Sequence, residues 1–348
     1  MVLKINLTRK IDAKVLLFNH QDQYKRYIPL QFGLNEVEID LNEIKFIRFK
    51  CERKNTDNLI LADNIELLTI RYNIKKKAYN ITLEKENKMA GRFKNVYFTD
   101  EDNLSYRKRP DKKVTFYFSP NFKNQDVHLI IAFDSQNIYD IKHIGNYTTK
   151  NDPYGGWQMD VPIDLSGKNF IVAGIEDADK YRTEELTPDF KNQRYNRAKL
   201  PNGKLDQLAN FIHTKVLDYL KQYKITDCTV CGASMGGLAA HYLGIKFPEI
   251  YDYIMSFSSA SGLLSDGFWK DLYAKSNINK NQKYGIFQGE ADPLEKELGK
   301  GNKNMISNLI RAGIPKENII YLFDKDLKHN EISWRYAFNY LFNEFFNK

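Results

Sequence analysis

Apolar residues in the first 85 positions come in short runs separated by polar turns: Lys14–Phe18, Tyr27–Phe32, Glu36–Leu41, Lys45–Phe49, Ile65–Ile70 and Tyr79–Leu83. In one of them Val37, Ile39 and Leu41 alternate with acids, a period of two that gives a half-buried strand one apolar face. The even spacing of such runs predicts a small all-β sandwich or barrel. The polar stretch Glu84–Lys88 then marks a boundary, so the chain is expected to divide into a β-rich unit, residues 1–88, and a larger unit, residues 89–348.

Beyond residue 90 the rhythm changes. Val114–Phe118, Val127–Phe133 and Asn169–Gly174 read as strands, the last of them short and β-branched. Leu205, Leu208, Ile212, Val216, Leu220 and Tyr223 recur every three or four residues, the stripe of an amphipathic helix with Lys204, Asp218 and Lys221 facing solvent. A strand over Thr226–Cys231 and a helix over Met235–Phe247, stopped by Pro248, follow. Strands Tyr253–Phe257, Tyr284–Gln288 and Ile319–Phe323 come next, with a helix near Asn304–Ala312 between the last two. A final helix presents Trp334, Phe338, Leu341, Phe342 and Phe345 on one face. Strands alternating with amphipathic helices predict an α/β fold with a mostly parallel central sheet covered on both faces.

Composition narrows the function classes. Of the 348 residues 42% are apolar and 28% charged, and no stretch approaches the ~18 consecutive apolar residues of a membrane span, so no membrane partner is expected. Charges scattered through Met1–Lys10 leave no room for the apolar core of an export signal, and the expected location is cytoplasmic. Three cysteines, Cys51, Cys228 and Cys231, make no disulfide framework. Cys228 and Cys231 form a C-x-x-C, but within an apolar strand, where small core residues are the natural reading. A net charge of +8 argues only weakly for acidic partners. Its densest cluster, Arg107–Lys113, is broken by Pro110 and Asp111 and reads as a solvated connection, and no nucleic-acid-binding module accompanies it.

The chemistry is carried by Thr229-Val-Cys-Gly-Ala-Ser234-Met-Gly-Gly, a G-x-S-x-G between a strand and a helix. A nucleophile at the tip of such a turn needs glycine on both sides, here Gly232 and Gly236, because side chains would collide where the chain folds back. The helix start directs backbone N–H groups, beginning with that of Met235, at a reacting carbonyl. A serine hydroxyl needs a base. Of six histidines, His20 lies in the β-rich part, His128 in a strand, His213 on the long helix, His241 on the helix leaving the turn, and His143 in a loop of undefined form. His329 stands just after the last strand, where the order nucleophile, acid, histidine places the base. The acid is expected on the loop Gly289-Glu-Ala-Asp292-Pro: Asp292, with Glu290 and then Glu295 as alternatives. A second oxyanion donor is expected on Phe133-Asp-Ser-Gln-Asn137, near the Gln136 N–H.

These segments resemble the esterase branch of the α/β hydrolases, which includes enterochelin esterases, feruloyl and acetyl-xylan esterases, S-formylglutathione hydrolases and mycolyltransferases. Phe133-Asp-Ser-Gln-Asn-Ile-Tyr-Asp140 is similar to that family's D-G-Q-N-L-F-D loop, with Ser135 in place of the glycine. Val172–Asp177 with Arg182 and Glu185 resembles its V-G-I-D and R-x-x-E-Y segments, the elbow and Phe247-Pro-Glu its G-S-S-M-G-G and Y-P-E pattern. Gly289–Asp292 matches G-x-x-D, and His329–Trp334 matches H-N-E-x-x-W. The likeness spans about residues 95–345. It implies an α/β-hydrolase fold and a serine esterase with Ser234, Asp292 and His329 as triad and Met235 and Gln136 as oxyanion donors, needing no metal or cofactor. The implied substrate is a small-molecule or glycan ester: a sugar acetyl, feruloyl-type or siderophore ester. An acyltransferase with the same triad and a non-catalytic binding protein of the same fold are the other readings.

Overall fold

The computed structural model describes the eight strands within the first 84 positions, Gln31, and residues 91–99, 111–120, 122–139, 156–189, 200 and 203–347. The eight early strands are β1 (Val2–Leu7), β2 (Ala13–Phe18), β3 (Tyr24–Leu30), β4 (Gly33–Glu38), β5 (Phe46–Cys51), β6 (Asn58–Leu61), β7 (Leu67–Asn73) and β8 (Ala78–Glu84). They form two four-stranded sheets, ordered β4-β1-β7-β8 and β3-β2-β5-β6, in which only the β1–β7 pair is parallel. Ile5, Val15, Leu17, Leu30 and Val37 are buried. β1 was not foreseen, although Leu3, Ile5 and Leu7 alternate with Lys4 and Asn6.

The remaining strands build one eight-stranded sheet. They are β9 (Arg92–Thr99), β10 (Asp111–Phe118), β11 (Val127–Phe133), β12 (Phe170–Ile175), β13 (Ile225–Ala233), β14 (Tyr253–Phe257), β15 (Lys283–Gly289) and β16 (Ile319–Asp324). Their order is β16-β15-β14-β13-β11-β12-β10-β9. β11 to β16 run parallel, and β10 pairs antiparallel with both β9 and β12. Two expectations change here. β9 was not foreseen, and the basic cluster does not end as a solvated connection: Asp111–Lys113 opens β10, and Lys112 is fully buried against the Glu185 carboxylate. Arg107–Pro110, His20 and His143 lie outside the described residues.

Both faces of the sheet are covered, so its strands alternate between two apolar layers instead of between core and water. On β11, Leu129, Ile131 and Phe133 pack into one layer and Ile130 and Ala132 into the other. The first layer is closed by α3 (Leu205–Phe211), which continues through a π-helical turn, Ile212–Val216, into α4 (Leu217–Leu220), and by α5 (Met235–Lys246), α6 (Asp266–Lys275) and α7 (Pro293–Arg311). The second is closed by α1 (Asp160–Ser166) and the C-terminal α8 (Glu331–Phe346) through Ile163, Phe338, Leu341 and Phe342. Each such fully buried aliphatic or aromatic side chain contributes roughly 1.5–3 kcal/mol relative to exposure, so a sheet dressed on both faces supplies a rigid base for the loops at its edge.

α7 begins eleven residues earlier than periodicity predicts, because Gly299, Gly301 and a run of lysines and asparagines blur its apolar stripe. Its true start is written in other terms. Asp292 is the N-cap, its side chain accepting from the Glu295 N–H at 2.9 Å, and Pro293 occupies the first helical turn, where its missing N–H costs nothing.

Candidate active site

Ser234 joins β13 to α5 with φ 56° and ψ −118°, a conformation that costs a non-glycine residue on the order of 1–3 kcal/mol and persists only where its surroundings impose it. Here three backbone bonds do so. Ser234 N–H donates to Phe257 O at 2.9 Å, and Ser234 O accepts from Ala260 N–H at 2.9 Å and Leu238 N–H at 3.1 Å. The flanking glycines are required by space: a Cβ on Gly232 would lie 2.4 Å from the Gly236 backbone, and one on Gly236 would lie 3.2 Å from Asp134 Oδ2 and 3.3 Å from Phe133 Cβ. The serine is half-buried, at the end of a helix whose residues Met235–Ile245 are all buried.

The loop after β11 approaches the elbow from the neighbouring strand. Ser135 N–H donates to Ile175 O, and Asn137 N–H closes a turn onto Asp134 O, both at 3.0 Å. Asp134 takes the left-handed conformation (φ 61°) and Ser135 is buried beside Gly174, where an added Cβ would meet the Ser135 Cβ at 2.8 Å. Gly174 thus provides the room that glycine at 135 would otherwise provide. The Gln136 side chain is tied back to Asp177 Oδ2 at 2.8 Å. Among the described residues the N–H groups of Gln136 and Met235 have no acceptor. Two such donors, one at a turn and one at a helix start, can receive an anion.

His329 stands on the loop between β16 and α8, with its side chain 11% exposed. Its Nδ1 lies 3.0 Å from Glu295 Oε1, and Glu295 is completely buried. An ionised carboxylate only accepts, which assigns the proton to Nδ1 and leaves Nε2 as the nitrogen with the lone pair. The other Glu295 oxygen accepts from Gly289 N–H at 3.1 Å and from Gln288 Nε2, and Asn302 Nδ2 in turn donates to Gln288 Oε1.

Asp292, the residue expected on the imidazole, is placed differently. Its Oδ2 accepts the backbone N–H of His329 at 2.7 Å, while Oδ1 caps α7. Burial disfavours its charge, but the Glu295 and His329 N–H groups, together with the His329 ring, outweigh that and hold the carboxyl below its ordinary value. The exchange has a geometric cause. Gly289 abuts Leu327, where a Cβ would stand 2.4 Å from the carbonyl oxygen, and Glu290 and Ala291 N–H both donate to that oxygen. The two loops are laced together by backbone, so the residue one helical turn further on, with a longer side chain, is the one whose carboxylate reaches the ring. Glu290 is exposed. Asp292-Pro-Leu-Glu295 also has the spacing of a capping box, but only its first half forms: Asp292 caps the Glu295 N–H, while the Glu295 carboxylate turns to Gly289, Gln288 and His329.

The elbow and the imidazole share the C-terminal edge of the sheet. Ser234 N–H binds Phe257 O, Ser258 N–H binds Phe287 O, and Ser258 Oγ accepts from Trp334 Nε1 at 3.0 Å. The Trp334 ring meets the His329 ring edge-on at 5.1 Å. No hydrogen bond joins Ser234 to His329 among the described residues. The other described histidines are engaged elsewhere: His128 with Asp227, His213 with the Tyr251 hydroxyl, and His241 with the Tyr273 hydroxyl. Among the described residues there is no group of carboxylates, histidines and cysteines suited to a metal, and no helix is long and apolar enough to cross a membrane.

Comparison with known proteins agrees with this architecture. The siderophore hydrolase EstB from Aspergillus nidulans superposes with a TM-score of 0.51 at 15% identity, covering 73% of this chain and 94% of its own. An IroE-like serine hydrolase from Shewanella oneidensis also gives 0.51 at 12% identity, covering 73% and 81%. The enterobactin esterase FES from Shigella flexneri gives 0.50 at 12% identity, covering 97% and 89%. At such identities the likeness is one of fold. No curated protein sequence matches the chain. The family described as "Putative esterase" matches residues 108–295, more than half of the chain and the span that holds both the elbow and the Asp292–Glu295 turn. With that match and an eight-stranded α/β-hydrolase sheet, the chain belongs to this esterase family and is a carboxylic ester hydrolase.

Proposed function

We propose that the chain hydrolyses its ester by way of an acyl-enzyme formed on Ser234, with His329 as general base and Glu295, in place of the expected Asp292, as the acid that orients it. The observation that carries this reading is the 3.0 Å contact of His329 Nδ1 with a fully buried carboxylate, on the same sheet edge as a strained G-x-S-x-G serine. Nε2 takes the Ser234 proton as Oγ attacks the carbonyl. The Gln136 and Met235 N–H groups receive the oxyanion, His329 returns the proton to the leaving alcohol, and water releases the acid by the same steps in reverse order. Asp292 supports the reaction indirectly by pinning the His329 main chain.

For substrate, a siderophore ester is the first class to test, because a fold relative that covers 97% of this chain, β-rich amino-terminal part included, is an enterobactin esterase. On this reading residues 89–348 form the catalytic unit. The test is Ser234→Ala, which should lower turnover on the order of a million-fold with the fold intact, and a fluorophosphonate, which should label Ser234 alone. Hydrolysis at near wild-type rate by the alanine variant would refute the assignment.

A further inference from the structure

The carboxylate of Asp134 is 5% exposed and is gripped by one guanidinium at two points: Arg182 Nε donates to Oδ1 at 2.6 Å and Arg182 Nη2 to Oδ2 at 2.7 Å. Arg182 opens α2 (Arg182–Glu185), and this short helix is anchored in turn by the buried pair of Glu185 with Lys112 on β10. Asp134 is therefore held by a group that is itself fixed to the sheet. Asp134 is also the residue with φ 61°, the one that bends the chain out of β11, and its carbonyl accepts the Asn137 N–H that closes the turn. Gln136 sits inside that turn with its N–H unengaged, and the same carboxylate packs on the first turn of α5, 3.2 Å from where a Cβ on Gly236 would be.

We propose that Arg182 is a positioning residue for the anion hole: by clamping Asp134 it holds the left-handed bend that aims the Gln136 N–H at the carbonyl attacked by Ser234. The proposal rests on the catalytic reading above. A planar fork meeting both carboxylate oxygens fixes rotation as well as distance, which a lysine ammonium cannot do. No hydrogen bond joins the clamp to Ser234 or His329 among the described residues, so its loss should act on the anion that forms during reaction and leave ground-state binding nearly as it was.

The experiment is a double-mutant cycle on the full chain with Arg182→Ala, Asp134→Ala and the pair, measured by ester hydrolysis. Each single change should lower kcat about ten- to hundred-fold with KM within about threefold, the scale of a misaimed oxyanion donor. The double variant should fall no further than the worse single one, because both remove the same clamp. A trifluoromethyl ketone, whose adduct with serine carries the same oxyanion, should lose affinity in step with kcat, and Arg182→Lys should recover part of both. Unchanged kcat, effects that multiply in the double variant, or losses of kcat and KM that merely follow a lowered Tm would overturn the proposal. If Arg182→Ala does not fold, Arg182→Lys and Arg182→Gln give the same comparison. Fluorophosphonate labelling of the wild type separates the two readings: no adduct on Ser234 defeats the catalytic assignment, whereas a normal adduct with full activity in Arg182→Ala defeats only the role of Arg182.

Discussion

Glu295 concentrates the chemistry of this site in one side chain. Both of its oxygens are used, one on the imidazole and the other on Gly289 N–H and Gln288 Nε2. Donors of this kind replace the water that a buried carboxylate gives up, and an unpaired carboxylate at zero exposure would not stay charged. The two acids of this turn should therefore separate in a kinetic assay. Glu295→Gln puts an amide on Nδ1 and disturbs the imidazole tautomer, so kcat should fall by about 10⁴. Asp292→Asn keeps an acceptor for the His329 N–H, and kcat should stay within about tenfold of wild type. Sequence alone ranked Asp292 first and Glu295 last, whereas the imidazole meets Glu295, because chain order names a loop while the choice depends on how Gly289 and Leu327 pack. The places of Ser234 and His329, by contrast, were legible: a glycine-flanked strand-to-helix turn and the loop after the last strand are where the sequence put them. The Asp134–Arg182 and Lys112–Glu185 pairs were not, as each joins segments more than forty residues apart.

At the scale of elements, α7 shows why period alone falls short. Its first half carries glycines and lysines, so the apolar stripe is continuous only from Met305 onward, yet the Asp-Pro start fixes the helix eleven residues before the predicted one. That cap also gives Asp292 a second duty, which stability measurements can isolate. Asp292→Ala removes the cap and should lower unfolding free energy by about 1 kcal/mol, whereas Asp292→Asn, itself a good N-cap, should lower it by much less. Chemical denaturation at neutral pH of the two variants checks this, and equal losses would mean that the cap does not hold α7. The eight-stranded sheet was more readable: six of its strands were foreseen within a residue or two, because apolar runs buried on both faces contrast with polar connections. The edge strand β9 was not, since the successive polar residues Lys94 and Asn95 break its alternation between Phe93 and Val96.

The whole molecule should lose stability in mild acid for a reason remote from catalysis. His241 is fully buried on α5, and burial depresses its pKa to about 3, far below that of an unfolded chain. Between about pH 6.5 and about pH 3 the unfolded state binds a proton that the folded state refuses, so stability falls as pH falls, by up to about 1.4 kcal/mol per unit. Asp292, held below its ordinary value, adds a further loss only when the pH drops low enough to protonate it. Urea unfolding from pH 7 to pH 4 should follow this slope in the wild type and a shallower one in His241→Gln; identical slopes would show that His241 does not set it. The same sheet that buries His241 holds the strained serine, and it is this rigidity that lets a half-buried hydroxyl and an imidazole sixteen strands into the chain share one edge.

The most direct measurement is the rate of fluorophosphonate labelling, with the modified peptide located by mass spectrometry, in the wild type, Glu295→Gln and Asp292→Asn side by side. A single adduct on Ser234 is expected, formed orders of magnitude more slowly in Glu295→Gln and at nearly the wild-type rate in Asp292→Asn. An adduct on another residue, or Asp292→Asn as the slow variant, would contradict the account.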